Sequence, residues 1–248
     1  FTNFSSLFPR SPITASRLGS WLRPPEACRS FYGQTRGLAG PNDGFHIWNR
    51  WLGADRYGLI DGLTDEDVAK MKSFVADWLR TFQKPLLNKN NRNTLLMTEL
   101  SHVLPNAYFI VVRRDPRCVV QSLIRARSFI QGDVNIGWGL ASHDSANTDD
   151  PLAYVDDICR QVIQIESRIQ EQQQDIDSSR IIDISYERFC QHPQETIRKI
   201  LEHIPRLALR DAETSSQLES FTTATNFDLN SDVGARIDRQ LSSVDFTE

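Results

Sequence analysis

NAYFIVVRRDPRCVVQSLIRAR, running from Asn106 to Arg127, decides the fold. Ala107 to Val112 is apolar and rich in β-branched and aromatic side chains, as a buried strand is. Asp115-Pro116 then reads as a helix start, with a side-chain acceptor at the N-cap and proline at the first helical position. Val119, Val120, Leu123 and Ile124 recur at helical spacing and give that helix one apolar face. A strand that turns straight into a helix places free N–H groups and the positive end of the helix dipole at the strand's C-terminal end, where they favour an anion. Arg113, Arg114, Arg117, Arg125 and Arg127 crowd the stretch against a single acid, Asp115. In a chain of net charge −4, so local an excess of cations implies a small anionic ligand.

Upstream, residues 1–23 mix aromatic, Ser/Thr and proline residues, which predicts a loop and one short helix from Ala15 to Leu22. Asn42 to Gly62 carries Trp48 and Trp51 among Gly and Asp, which predicts an irregular layer held by aromatic anchors. A clear helix follows. Thr64 is its candidate N-cap, Asp65, Glu66 and Asp67 fill its first turn, and Val68, Met71, Val75, Trp78 and Phe82 form its apolar stripe. Lys84-Pro85 ends it. Leu86 to Asn88 reads as a short strand and Asn93 to Val103 as a helix.

Downstream, Ser128 to Pro151 is rich in Gly, Asn and Asp, with Trp138 as its one large anchor; loops of that length are functional lids or disordered. Tyr154 to Ile176 shows helical periodicity, Arg180 to Ser185 reads as a strand, and Pro193 opens a further helix. The tail holds a weaker helical pattern from Val233 to Leu241. Strands alternating with helices imply an α/β fold, a parallel sheet with helices on both faces. Three good strands are legible, and 248 residues suit a single domain spanning 1–248.

Composition narrows the function. The acidic balance speaks against general nucleic-acid binding, which needs a broad basic surface. No apolar run approaches the roughly 18 residues of a membrane helix. Cys28, Cys118, Cys159 and Cys190 show no CxxC spacing, so free thiols in a reducing, cytoplasmic setting are expected. The five histidines lack metal-ligand spacing, and no metal is expected.

At Arg114 and Ser122, eight positions apart in RDPRCVVQS, the chain resembles the sulfotransferases that use 3′-phosphoadenosine 5′-phosphosulfate (PAPS). In that family an arginine at the strand end and a serine on the following helix clamp the 3′-phosphate. PLLNKNNRN (Pro85 to Asn93) resembles the preceding strand and its lysine-containing turn. Ile184-Ser185-Tyr186-Glu187, followed by His192-Pro193, resembles the family's YED…P segment. The resemblance covers Pro85 to Ile204 and implies a three-layer sandwich of the P-loop nucleotide-kinase type. It also implies PAPS as cosubstrate, with adenosine 3′,5′-bisphosphate as product, and a hydroxyl of a glycan or small molecule as acceptor. One departure is large: the family's first strand and glycine-rich phosphate loop are absent. Either a segment upstream of Phe1 supplies them or they have been lost, and the first reading is preferred because a parallel sheet needs that central strand.

By this resemblance Arg114 and Ser122 hold the 3′-phosphate and Tyr186 meets the adenine. Arg236, or Arg239, adds to the phosphate pocket, and Lys89 stands near the transferred group. Each has a bland counterpart: Tyr186 as a core tyrosine, Lys89 as a solvated turn lysine. The acceptor needs a general base. The family's histidine position, two residues after the lysine, is Asn91, which takes no proton. Glu26 and His46 are the alternatives. Two other functions compete: a P-loop-type kinase, disfavoured by the missing Walker lysine, and a nucleotide-binding relative without turnover.

Overall fold

A computed structural model describes residues 1–19, 21, 30–31, 34–53, 62–145, 149–204, 207, 220–223, 229–242 and 246. The chain divides into two compact units, Phe1–Pro105 and Asn106–Glu248.

The first unit runs α1 (Asn3–Ser6), α2 (Pro12–Gly19), β1 (Ser30–Phe31), β2 (Gln34–Thr35), α3 (Phe45–Leu52), α4 (Asp65–Phe82), a 3₁₀ turn (Asn91–Leu95) and α5 (Met97–Val103). β1 and β2 form a small antiparallel ladder. α4 starts as its sequence predicts, with the Thr64 hydroxyl accepting from the Asp67 N–H and three acids in the first turn. It stops at Gln83, which takes the left-handed conformation at φ 51°. Its fully buried residues are Met71 and Phe74, so the expected stripe holds at Met71 but misses Phe74.

Two expectations fail here. The Trp48–Trp51 region is a regular helix, α3, rather than an irregular layer. No Ser, Thr, Asp or Asn caps its N-terminus; Gly44 does, at φ 71°. Its other end is held from 40 positions away. The Arg92 guanidinium, 1% exposed, donates to the carbonyls of Leu52 and Gly53, which a helix C-terminus otherwise leaves orphaned. Residues 86–88 form no strand. Asn88 instead accepts from the Trp48 indole at 3.0 Å, and the Asn90 side chain accepts from the Arg92 N–H and starts the 3₁₀ turn. The helix expected over 93–103 is accordingly split at Leu96.

The second unit runs β3 (Phe109–Arg113), α6 (Pro116–Ala126), a π turn (Arg127–Gln131), α7 (Ala153–Gln174), a 3₁₀ turn (Ser178–Arg180), β4 (Ile181–Ser185), α8 (Tyr186–Gln191), α9 (Pro193–His203) and α10 (Ser231–Leu241). β3 and β4 pair in parallel, with Phe109 opposite Ile181 and Arg113 opposite Ser185. The outcome is an α/β fold with a small parallel sheet and many helices. β3 is not continuously buried as expected: Val111 is 8% exposed but Val112 is 55% exposed. The core joins Val120 and Ile124 of α6, Val155, Ile158 and Cys159 of α7, and Val233, Ile237 and Leu241 of α10. The tail helix is therefore a full partner in the core.

The long segment after α6 is pinned. Arg127 is completely buried and donates to the carbonyls of Val134 and His143. Gln161 of α7 donates to the carbonyls of Trp138 and Leu140 at 3.0 and 2.8 Å. These bonds give the loop backbone the partners that burial demands.

Candidate functional site

The parallel register decides what meets at the sheet's C-terminal end. Arg113 lies opposite Ser185, so the next residue on each strand, Arg114 and Tyr186, emerges at the same level. The Arg114 guanidinium carbon stands 4.8 Å from the Tyr186 ring centre, a cation–π contact. Asp115 caps α6 by accepting from the Arg117 N–H at 2.8 Å, and Pro116 takes the first turn. The Glu187 carboxylate accepts from the Asp115 N–H at 3.3 Å and from the Ser185 hydroxyl at 3.2 Å, which ties the two strand ends together.

Two cysteines complete the cluster. Arg114 donates to the Cys118 thiol, and Tyr186 shares a hydrogen bond with the Cys190 thiol. Both cysteines are buried. Burial first, and the Asp115 charge second, push the Cys118 thiol up, so it is a neutral thiol near pH 7. The Cys190 contact, then burial, push the Tyr186 phenol up, and it too stays neutral. Cys118 therefore positions the arginine rather than attacking a substrate, and Cys190 contacts the tyrosine hydroxyl. A signal for them existed in the sequence: each lies four residues after its partner.

Four of the five arginines of the opening stretch separate by role. Arg113 is bound to Glu166, Gln173 and Asp183. Arg117 pairs with Asp238 at 2.9 Å, and Arg127 is buried under the loop. Arg114 is the one set against an aromatic face at the strand end. Ser122 lies seven residues beyond the N-cap. That is about two turns, or roughly 10 Å of axial rise, so it shares the N-cap's face of α6. It is half-buried, and its hydroxyl makes no hydrogen bond to a described residue.

The remaining candidates fare differently. Arg236 donates to both carboxylate oxygens of Asp156 and, at 2.9 Å, to Asp150. In turn the Arg236 bond holds the Asp156 carboxyl below the usual range. Lys89 is 68% exposed on its side chain and pairs with Asp43 at 2.9 Å within the first unit. Glu26 falls outside the described residues. His46 is half-buried on α3. Burial and the nearby Arg50 charge lower its pKa to about 4, so it is neutral near pH 7 but a weak base. No helix among the described residues is long and apolar enough to cross a membrane.

Three comparisons bear on this arrangement. A family model described as "Sulfotransferase family" matches residues 46–206. The chain is similar to the solved "Sulfotransferase Domain from the Curacin Biosynthetic Pathway", at 14% identity and a TM-score of 0.43. That similarity covers 69% of this chain and 68% of the other. No curated protein matches.

Proposed function

The chain belongs to the sulfotransferase family, and from that premise we propose that it transfers the sulfuryl group of PAPS to a hydroxyl of a glycan or small-molecule acceptor. The observation that carries this is the Arg114 guanidinium stacked on Tyr186 at the C-terminal end of two parallel strands. A planar cation that donates in pairs suits a phosphate, and an aromatic face suits a purine. Ser122, with an uncommitted hydroxyl on the same face of α6 as the N-cap, suits a further phosphate oxygen. These residues fit the adenosine 3′-phosphate half of the cofactor. When bound, PAPS supplies an activated sulfuryl group whose leaving group is a phosphate.

In this proposal the chain's own residues orient and neutralise. Arg114 offsets phosphate charge, Tyr186 meets the adenine, and Glu187 keeps the two strand ends in register. Lys89 would offset charge on the transferred group, after exchanging its Asp43 partner. Glu26 is the proposed general base. Arg236 is engaged by Asp150 and Asp156, so a phosphate would reach it only by displacing Asp150. The architecture proposed is a P-loop-like three-layer sandwich in one domain. Its support is the family match, which runs across the boundary of the two units. A cytoplasmic location is proposed on the buried free thiols Cys118, Cys159 and Cys190 among the described residues.

Calorimetric titration tests the cofactor. Adenosine 3′,5′-bisphosphate is expected to bind with a Kd on the order of micromolar, AMP and ATP–magnesium much more weakly, and Arg114→Gln to remove the preference. A preference for ATP–magnesium would instead favour a kinase, and binding without sulfuryl transfer a non-catalytic relative.

A further inference from the structure

We propose that the open, solvent-facing cavity bordered by the start of α2, the end of α3 and the middle of α4 binds a small organic anion with an apolar body, such as an aryl or acyl sulfate or carboxylate. The cavity measures about 660 Å³, a size suited to a small molecule. All of its lining residues belong to the first unit.

Two properties of the lining select the ligand. The first is charge. Arg10, Arg50 and Lys70 line it against one acid, Asp77. Asp77 is already held by Arg80 at 2.8 Å, and Lys70 contacts Glu66 at 2.6 Å on the exposed face of α4. Arg10 and Arg50 have no hydrogen bond or ion pair with any described residue. Two guanidinium groups at one cavity, without such a partner among the described residues, in a chain of net charge −4, ask for an anion. The first turn of α2 also borders it, and first-turn amides lack helical acceptors. The second property is the floor. Trp51 and Phe74, 7% and 9% exposed with ring centres 5.5 Å apart, line the same space. A bare inorganic anion would leave the exposed edges of those packed rings facing water, and a neutral aromatic would leave the arginines without an anion. A ligand carrying both parts uses both.

The test is ligand-observed NMR and calorimetry on the full chain with phenyl sulfate as probe. Benzyl alcohol and inorganic sulfate serve as the half-ligands. Phenyl sulfate is expected to saturate with a Kd on the order of millimolar or below, and each half-ligand to bind about tenfold more weakly. Arg10→Gln and Arg50→Gln, both exposed and far from any core role, are expected to weaken it by about two- to fivefold each. Saturating adenosine 3′,5′-bisphosphate is expected to leave it bound. Absence of saturable binding to the folded wild type would overturn the site. So would equal binding in the folded Arg10→Gln/Arg50→Gln double variant. Displacement by the bisphosphate would show that phenyl sulfate occupies the nucleotide site instead. If phenyl sulfate binds and the bisphosphate does not, the cavity stands and the cofactor proposal falls.

Discussion

Arg114 and Tyr186, 72 positions apart in sequence, stack at 4.8 Å because each is the residue immediately after one of two strands paired in register. The contact is set by the ladder and then fixed by one cysteine on each side. A ligand that inserts here meets a cation already oriented by an aromatic ring.

The ring and the hydroxyl of Tyr186 separate by mutation. Tyr186→Phe keeps the face under Arg114 and loses only the bond to Cys190. It is expected to bind adenosine 3′,5′-bisphosphate within about 0.5 kcal/mol of wild type. Tyr186→Ala removes the face and is expected to lose roughly 1–3 kcal/mol, the worth of one base–aromatic stack. Calorimetry on both variants checks this. Equal losses would assign the work to the hydroxyl and its thiol partner.

Ser122 gives a sharper test, because its proposed partner is a single phosphate. Ser122→Ala removes one hydroxyl donor to a charged group, so the bisphosphate is expected to lose about 1–2 kcal/mol. AMP lacks the 3′-phosphate and is expected to bind both forms equally. If AMP suffers as much as the bisphosphate, the serine supports the helix rather than the ligand.

Neighbouring arginines are expected to fail in opposite ways. Arg113 is 17% exposed on its side chain and holds Glu166, at 12%, together with Gln173 and Asp183. Arg113→Ala leaves a largely buried carboxylate without its partner. A loss of about 2–3 kcal/mol is expected, below the range for fully buried pairs because Asp183 is half exposed. Arg114→Gln is expected to cost nucleotide preference while changing the urea midpoint little. Urea melts and bisphosphate titrations on both variants give the two-by-two comparison, and a stability loss confined to Arg114→Gln would reverse the roles assigned.

What could be read in the sequence was local. Asp115-Pro116 and Thr64 with its three acids announce helix starts within four residues, and both are found as caps. What could not be read was long-range. α3 lacks a side-chain N-cap and is closed by Arg92 from beyond α4, so residues 45–52 alone look irregular. Residues 86–88 have the composition of a strand, but Asn88 is engaged by the Trp48 indole and Asn90 just beyond caps the 3₁₀ turn. At the site, the charge count of five arginines was visible, but not their division of labour. That division depends on Glu166, Gln173, Asp183 and Asp238, which only folding brings near. The Arg114–Tyr186 contact was likewise beyond reach until the register of β3 and β4 was known.

His46 gives a prediction in pH. Its ring lies on α3, edge-on to Phe1 at 6.2 Å and one turn before Arg50. Burial first, and Arg50 second, bring its pKa down from 6.5 to about 4. The unfolded chain takes up a proton near pH 6.5 while the folded chain resists until about pH 4, so the unfolded state binds more protons throughout that window. Stability therefore falls as pH drops from 6.5 to 4 and is regained above it. The full shift would be worth about 3 kcal/mol, but a ring only half-buried is screened by water, which brings the expected change to roughly 1–2 kcal/mol. Urea melts at pH 7 and pH 4.5 measure it, read as the difference between wild type and His46→Gln. Removing the Arg50 charge is expected to raise the His46 pKa and shrink the loss, which an NMR titration of the His46 ring in Arg50→Gln reads directly. An unchanged pKa in that variant would strike Arg50 from the causes, leaving burial and the Phe1 amino group.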